Sequence, residues 1–144
     1  MTGLCDAVLY GGIVNEELFL YAVNALREMC EGDEGEALCA FFLKTLELSG
    51  YMIALDACGS CGGPLGDKIW FDIRQGCFYC AECARGARAS EGTLHFLRKC
   101  AGMPFEDEKI APDSKKRALK LLHAYFCDKT DAHVKALEEY IALP

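Results

Sequence analysis

Apolar residues recur every three or four positions over residues 15–29, the spacing that places them on one face of an α-helix. Asn15 is the expected N-cap of this helix, and Glu16 and Glu17 occupy its first turn, where the helix dipole favours acids. The apolar face is formed by Leu18, Tyr21, Ala22, Ala25, Leu26 and Met29. The pattern predicts an amphipathic helix that is broken at residues 31–33.

A second helix of the same kind is predicted to follow Asp33, which together with Glu36 resembles a capping box. Its apolar face consists of Leu38, Phe41, Phe42, Thr45 and Leu46. Gly50 is a suitable residue just beyond its end, because glycine readily adopts the left-handed conformation that terminates many helices. Only a short turn separates this helix from the first, so we expect an antiparallel pair.

The helical spacing disappears in residues 58–84, where glycine and cysteine dominate. Within this segment, the run Ile69–Ile73 places apolar residues at every second position, alternating with Trp70 and Asp72. A period of two is typical of a β-strand. The segment is therefore predicted to be a small non-helical module inserted between helices.

Helical spacing returns after this module. Ser90 is the expected cap of a helix that Gly102 and Pro104 terminate. The apolar positions of this helix are Leu94, Leu97 and Ala101. A polar connection bounded by prolines, residues 103–113, is predicted to follow it.

Two more helices are predicted in the remainder of the chain. The first starts at Asp113 or Ser114, and its apolar positions are Ala118, Leu121, Leu122 and Tyr125. The second runs from about Thr130 to Ile141. The chain contains no internal repeat and no low-complexity segment.

The composition is that of a folded domain, since 52% of the 144 residues are hydrophobic, more than disordered segments carry. No apolar run approaches the roughly 20 residues needed to cross a bilayer. The N-terminal MTGLCDAVLYGG lacks the basic region of a signal peptide. We therefore expect a cytosolic, reducing setting, in which the ten cysteines indicate metal ligands and buried thiols before disulfides.

Two cysteine pairs, Cys58-x2-Cys61 and Cys80-x2-Cys83, are separated by 18 residues, within the range of ribbon-type zinc sites. Two residues between thiolates let a tight turn present both sulfurs to one ion, and the glycines after the first pair relieve crowding. Four thiolates close a tetrahedral shell, whereas catalytic zinc keeps an open position. The expected cofactor is therefore one structural Zn²⁺ ion.

Spacing alone leaves the ligand set open, because Cys77-x2-Cys80 would form an equivalent knuckle and leave Cys83 spare. A rubredoxin-like iron centre is also open, since four thiolates suit both metals. A thioredoxin-like role for CGSC requires a helix N-terminus, and glycines and a proline follow it instead. The other cysteines are interpreted as small hydrophobic residues of helices: Cys5, Cys30, Cys39, Cys100 and Cys127.

No catalytic motif accompanies the cysteines. The sequence lacks a nucleophile elbow, a phosphate loop, a kinase signature and the H-x-E with P-C-x-x-C of zinc deaminases. His95, His123 and His133 lie on predicted helices, and no partner carboxylate is found at a spacing that would indicate a catalytic pair. We therefore predict that the protein is not an enzyme.

The net charge of −7 is unevenly distributed. Residues 1–57 contain ten acids and two bases, whereas residues 58–144 contain 12 acids and 13 bases. Any contact with nucleic acid should be local and salt-sensitive. The candidate phosphate contacts are Arg74, Arg85, Arg88, Lys115, Lys116, Arg117 and Lys120. The alternative is a solvated helix face, because no aromatic residues are interleaved with these bases.

The segments GEALCAFFLKTLELSGYMIALDACGSCG and FDIRQGCFYCAEC resemble the C-terminal domain of the bacterial recombination mediator RecO. That family shows a helix ending in a glycine-aromatic step, a C-x-x-C-G knuckle, an aromatic residue, a glycine pair and a second C-x-x-C. These positions are filled here by Gly50-Tyr51, Cys58 to Gly62, Phe71, Gly76 and Cys80 to Cys83. The resemblance covers residues 15–140 and is most specific over 38–83.

The resemblance also bears on the ligand set. Cys77 occupies the position of the second glycine of the family pattern, which implies that it is a turn residue. The implied metal ligands are then Cys58, Cys61, Cys80 and Cys83.

The predicted architecture is mainly α, with an inserted four-cysteine zinc-ribbon or knuckle module. The chain is expected to form one RecO C-terminal-like domain, 1–144, divided into a helical part (1–57), the zinc module (58–84) and a second helical part (85–144). RecO proteins carry an N-terminal OB-fold before this part, and nothing in residues 1–14 supplies its strands. The chain therefore resembles the family without that domain.

The resemblance implies a non-enzymatic role in DNA repair and recombination. RecO proteins bind single-stranded DNA, anneal complementary strands, and act with RecR and single-strand-binding protein to load RecA. The implied partners are RecR-like and single-strand-binding-protein-like proteins, with weak single-stranded DNA binding, no membrane, and a cytoplasmic, nucleoid-associated location. The alternative is a zinc module that binds only proteins and has no affinity for DNA.

Overall fold

The computed structural model describes residues 20, 23, 24, 27, 30–131 and 135–143. Most of the helix predicted over residues 15–29, including its cap, lies outside these residues, and so does its expected pairing with the second helix. Cys5 and His133 also lie outside them.

Four helices and three short strands carry names below. In chain order they are α1 (Glu34–Leu48), β1 (Ile69–Asp72), β2 (Cys77–Tyr79), β3 (Ala87–Ala89), α2 (Glu91–Cys100), α3 (Ser114–Thr130) and α4 (Lys135–Ala142). Single 3₁₀ turns occur at Ala81–Cys83 and Asp107–Lys109. The fold is mainly α with a small sheet beside a cysteine cluster, which confirms the predicted class. None of the described helices is both long and apolar enough to span a membrane.

The start of α1 follows the sequence prediction. The Asp33 carboxylate accepts hydrogen bonds from the backbone N–H groups of Gly35 at 2.8 Å and Glu36 at 3.1 Å. These bonds satisfy donors that have no partner inside the helix. The Glu36 carboxylate, assigned to a capping box from the sequence, instead pairs with the Lys99 ammonium on α2.

The end of α1 is a Schellman turn centred on Gly50, which has a φ of 81°. The Gly50 N–H donates to Glu47 O at 3.0 Å, and the Tyr51 N–H donates to Leu46 O at 2.8 Å. This pair of bonds defines the motif, and glycine meets its left-handed requirement without steric cost. The predicted role of Gly50 is confirmed.

The strands form one antiparallel sheet in the order β2-β1-β3. Ile69 and Phe71 of β1 are buried, whereas Trp70 and Asp72 are half-buried, so the predicted alternation is confirmed. The β3 strand was not predicted. Gly86 precedes it with a φ of 79°, and a Cβ there would lie 2.1 Å from Phe71 O, so only glycine lets β3 approach β1 this closely.

The cap of α2 is also as predicted, because the Ser90 hydroxyl accepts a hydrogen bond from the Thr93 N–H at 3.2 Å. Gly102, with a φ of 69°, follows the end of the helix. Ala101 is the exposed C-cap residue and does not belong to the apolar face, which is a correction of the sequence assignment.

Two features of α3 differ from the predictions. Leu121 is only half-buried, and the buried positions beside Ala118 and Leu122 include Leu119 and Phe126. Thr130 ends α3 instead of starting the last helix, because Asp131 adopts a left-handed conformation with a φ of 52°.

One hydrophobic core joins the sheet to the helices. The Phe42 and Phe126 rings of α1 and α3 meet edge to face with centroids 5.8 Å apart. The Phe71 ring of β1 meets the Tyr125 ring of α3 in the same way at 6.0 Å. The sheet of the cysteine module is therefore part of the main core and does not form a separate one.

We expect Asp33→Ala to lower the free energy of unfolding at neutral pH by about 1 kcal/mol, the usual cost of losing an N-cap. Asp33→Asn should cost much less, since asparagine caps equally well and the ion pair with Lys115, at 2.8 Å, is partly exposed to solvent, where such pairs contribute little. Urea unfolding of both variants measures the difference. A cost as large for Asn as for Ala would mean that the ion pair matters more than the cap.

The same residue sets a pH dependence. The hydrogen bond from Lys115 is the main cause that lowers the pKa of Asp33 below its usual value. A lowered folded-state pKa stabilises the fold above the unfolded-state pKa, and that stabilisation is lost as the pH falls through the folded pKa. The stability difference between the native chain and Asp33→Asn should therefore shrink in acid.

Candidate metal centre and neighbouring groove

The first cysteine pair lies on a tight turn after the segment that leaves α1, in which Ile53 and Leu55 are buried. The Cys58 N–H donates to Gly63 O and the Gly62 N–H donates to Cys58 O, both at 2.9 Å. Gly62 has a φ of 69°, which a side chain would disfavour. The turn is anchored to β2 by a 2.9 Å hydrogen bond from the Gly59 N–H to Phe78 O.

The second pair follows β2 directly. The Cys83 N–H donates to Cys80 O at 3.2 Å, which closes the 3₁₀ turn between them. The Cys80 N–H lies 3.5 Å from Cys58 Sγ, so the backbone of the second turn faces a thiol of the first. The hairpin of β1 and β2 thus brings two turns that are distant in sequence against each other.

The four Sγ atoms of Cys58, Cys61, Cys80 and Cys83 all lie within 4.8 Å of one another. The Sγ atoms of Cys61 and Cys80 are 3.9 Å apart. Four sulfurs placed tetrahedrally about 2.3 Å from a zinc ion would be separated by about 3.8 Å. The arrangement therefore has the donor type, number and spacing to hold a tetrahedral metal ion.

The electrostatics of the cluster also suit a cation. The pKa of Cys58 is lowered to about 6 by hydrogen bonds from backbone N–H groups. The largest effect comes from Cys61, followed by Cys80 and Ser60. The pKa of Cys83 rises to about 11, chiefly through its hydrogen bond with Cys80. Neighbouring thiolates repel one another, so they do not all ionise readily on their own. A divalent ion would remove that penalty by offsetting the charge.

A groove of about 610 Å³ lies beside the sheet, between it and α3. We call it the basic groove. Its apolar lining includes Ile73, Ala87, Ala89, Leu121 and Ala124, and its charged lining consists of Arg74, Arg88, Arg117, Lys120 and Asp72. The four cations are exposed, so this surface offers positive charge above an apolar floor.

The structure distributes the seven candidate phosphate contacts over several places. Four of them surround the basic groove, and one of these four, Arg117, also pairs with Asp113. The other three lie outside the groove and contact protein groups. Lys115 pairs with Asp33 at 2.8 Å, Lys116 donates to Leu143 O, and Arg85 lies 5.9 Å from the centre of the Tyr79 ring. The helical run 115–120 is therefore not a single basic surface.

A family model described as recombination protein O C terminal matches residues 1–138. The chain belongs to this family. Among curated proteins, the DNA repair protein RecO of Rubrobacter xylanophilus is 34% identical over 115 residues, covering 74% of this chain and 46% of that protein. RecO of Pelotomaculum thermopropionicum is 31% identical over 105 residues, covering 70% and 41% respectively.

The chain thus spans less than half the length of these RecO relatives. RecO of Myxococcus xanthus is similar in the same way, with 28% identity over 127 residues covering 85% of this chain and 51% of the relative. No solved structure matches the chain significantly.

Cys77, the residue in the second glycine position of the RecO pattern, lies outside the four-sulfur cluster. It is the first residue of β2 and not a turn residue, which corrects that expectation. The turn is made by Gly76, with a φ of 65°. Cys77 Sγ donates to Gln75 O at 3.4 Å, and burial raises the pKa of this thiol.

The remaining described cysteines only partly follow the prediction of small buried residues. Cys39 is completely buried in α1, as expected. Cys100 and Cys127 are half-buried, and Cys30 is exposed, so the prediction is wrong for Cys30.

The two described histidines, His95 and His123, lie near carboxylates that the sequence did not suggest. His95 is buried, its Nδ1 accepts the Glu106 N–H at 3.0 Å, and burial is the main cause that lowers its pKa. Its Nε2 lies 3.8 Å from Glu91 Oε1, so a carboxylate one helical turn earlier does accompany this histidine, contrary to the expectation from the sequence. His123 Nε2 lies 3.8 Å from Glu138 on α4, a contact that only the packing of two helices creates.

Proposed function

We propose that the chain is a non-enzymatic recombination-mediator domain of the RecO type, comprising residues 1–144 with a structural zinc module at 58–84. It assists single-stranded DNA binding, strand annealing and RecA loading, together with RecR-like and single-strand-binding-protein-like partners. The observation that carries the proposal is the convergence of four thiols in a chain that belongs to the RecO C-terminal family. Cytoplasmic, nucleoid-associated action without a membrane belongs to the same proposal.

Zinc is the proposed ion, held by Cys58, Cys61, Cys80 and Cys83. Four thiolates complete a tetrahedral shell and leave no position for substrate, which supports a structural role. The segment that leads into the first turn is also fixed to α2, because Arg98 donates to Leu55 O at 2.8 Å. The ion would therefore connect the Cys58–Cys61 turn to the Cys80–Cys83 turn, next to α2, to which the module is already hydrogen-bonded.

The basic groove is the proposed contact for nucleic acid. Its four exposed cations can bind phosphates, which dominate the affinity of most nucleic-acid complexes. Among the described residues that line it, the one aromatic residue, Phe71, is buried, so these residues offer no platform for base stacking. Binding should therefore be weak, independent of sequence and strongly dependent on salt.

Reversing a charge in the groove is expected to weaken single-stranded DNA binding. Arg88→Glu and Lys120→Glu should each reduce the slope of log affinity against log salt by about 0.7, the value for one phosphate contact on a single strand. Lys68→Glu is the matched control, with the same charge change at an exposed residue outside the groove. Fluorescence anisotropy with a labelled oligonucleotide at several salt concentrations measures these slopes.

Two results would refute the groove as the DNA contact. One is the absence of binding by the native chain at low salt. The other is a loss of affinity in Lys68→Glu equal to that of the groove variants, which would indicate a general effect of net charge.

A protein ligand is the second candidate for the same groove, because its floor is apolar. An acidic C-terminal peptide of single-strand-binding protein carrying an apolar side chain would match both the floor and the cations. Leu121→Ser should weaken such a peptide and leave DNA binding unchanged, because phosphates do not contact the floor. Peptide binding by a chain that fails to bind DNA would establish this function in place of the first.

A further inference from the structure

A ring nitrogen of His95 holds the segment that follows α2. We call residues 103–110 the connector. The backbone N–H of Glu106, in the middle of the connector, donates to His95 Nδ1 at 3.0 Å. Residues 104–108 are exposed, whereas His95 is only 5% exposed. A surface segment is therefore hydrogen-bonded to α2 through a buried imidazole.

This hydrogen bond requires one protonation state of the ring. A nitrogen that accepts a hydrogen bond carries a lone pair, so Nδ1 is unprotonated and the proton of the neutral ring lies on Nε2. Protonation of His95 would place an N–H group on Nδ1, facing the N–H of Glu106. Two donors cannot bond to each other, and a buried donor without an acceptor is costly. A charged His95 is therefore incompatible with the observed position of the connector.

The charges that face His95 do not compensate for this loss. Burial is the main cause that lowers the pKa of His95 below its usual value. Arg98 on α2 and Lys109 on the connector lower the pKa further. Glu91 on α2 and Glu106 on the connector raise it. The Glu91 carboxylate lies 3.8 Å from Nε2, but it is already paired with Lys109 at 2.6 Å. The observed structure therefore favours the neutral ring.

Two further helices, α1 and α3, pack against α2. The α1 acid that reaches α2, Glu36, pairs with Lys99, and the first cation of α3, Lys115, pairs with Asp33. Lys99 also lies 6.0 Å from the centre of the Phe105 ring, a contact that contributes little at an exposed site. These charges are therefore engaged by other groups.

The connector is anchored at both ends independently of His95. The Met103 N–H donates to Arg98 O at 2.9 Å. Met103 and Ile110 are half-buried and pack against the hydrophobic core. Loss of the bond to His95 would therefore free residues 104–108 while the two ends of the connector stay in place.

We propose that His95 is a pH-sensitive latch, whose neutral imidazole holds the middle of the connector on α2 and whose protonation releases it. Release would free one phenyl ring and three acids from the surface of α2, namely Phe105, Glu106, Asp107 and Glu108. His95 belongs neither to the four-cysteine cluster nor to the lining of the basic groove. The latch therefore does not depend on the function proposed above.

The direction of the pH effect follows from the two states of the ring. The released ring binds a proton at the ordinary histidine pKa of about 6.5, whereas the closed structure disfavours that proton. The closed state is therefore fully favoured above this pKa. It loses its advantage as the pH falls from there toward the lower pKa of the closed state.

Hydrogen exchange measured by NMR on the whole chain as purified tests the latch. We expect the protection of the Glu106 amide, corrected for intrinsic exchange, to fall about fivefold to tenfold between pH 7.5 and pH 5.5, because the opened ring binds one proton. The Met103 amide is the internal control, since it donates to a backbone carbonyl that does not titrate, and it should keep its protection. Metal analysis at both pH values verifies that the metal content is unchanged.

His95→Asn is the informative variant, because its Oδ1 can take the place of Nδ1 and accepts a hydrogen bond at every pH. Its Glu106 amide should be equally protected at pH 7.5 and pH 5.5. His95→Ala has no acceptor and should lose the protection at both. His123→Asn is the matched control, the same substitution at the other described histidine, and should keep the pH response of the native chain.

Nitrogen NMR of the native chain tests the latch without any substitution. It should show His95 with its proton on Nε2 at pH 7.5, and the ring should titrate with the same midpoint as the protection of Glu106. The proposal is wrong if that proton lies on Nδ1, or if the protection of Glu106 does not change between the two pH values. It is equally wrong if the protection falls as much in His95→Asn as in the native chain.

Discussion

Cys58→Ser is expected to release the metal and to lower the free energy of unfolding by several kcal/mol. The energy of binding a structural zinc ion is coupled directly to folding in small modules. Cys58 is buried, and the backbone N–H groups of three residues point at its sulfur. In the serine variant these donors would lose the thiolate to which they donate. Metal analysis of the purified protein and urea unfolding measure the two effects.

Cys77→Ser is the matched control, because this thiol lies in the neighbouring strand and outside the cluster. It should retain one metal ion per chain and most of the stability. Loss of zinc in Cys77→Ser together with its retention in Cys83→Ser would show that the other knuckle is the true one. That outcome would overturn the ligand set and leave the family membership intact.

Phe42→Ala is expected to lower the free energy of unfolding by about 3–5 kcal/mol, the usual cost of removing a buried phenyl ring. The ring is 1% exposed and meets Phe126 edge to face at 5.8 Å, so its loss leaves a cavity between α1 and α3. Urea unfolding gives the change in stability. Phe105→Ala is the control, because that ring is 41% exposed and should cost little.

Metal content distinguishes the effect of Phe42→Ala, which changes the core, from that of Cys58→Ser, which removes a proposed metal ligand. Under conditions where Phe42→Ala remains folded, it should still hold one metal ion, because the four sulfurs belong to turns outside the helix pair. A variant that loses its metal while folded would mean that the core positions the cysteines more tightly than their own turns do. Equal stability of Phe42→Ala and the native chain would contradict the packing described for α1 and α3.

Local signals predicted much of the helical framework. Asp33 and Ser90 cap their helices as expected, because a short polar side chain before an apolar series meets needs that arise within one helical turn. Gly50 and Gly102 terminate helices for an equally local reason, the left-handed conformation. The alternation in β1 likewise reports which side chains face the core.

Other features were missed because they depend on residues far apart in sequence. The Ala87–Ala89 strand carries no strong β-forming side chains and exists because Gly86 lets it approach β1. Leu121 was placed on the apolar face from helical spacing, and it is only half-buried, because it packs against the core and also lines the basic groove. The contact between His123 and Glu138 arises only when two helices pack.

The sequence by itself determined the family, the helical class and the two cysteine pairs whose spacing fits one metal ion, because helix periodicity, capping and knuckle turns are short-range properties. Tertiary structure decided that the Cys77 thiol stays apart from the cluster, that the sheet of the module shares the helical core, and that the basic residues divide between a groove and local ion pairs. These outcomes depend on which surfaces bury each other, and burial is a property of the whole packed chain.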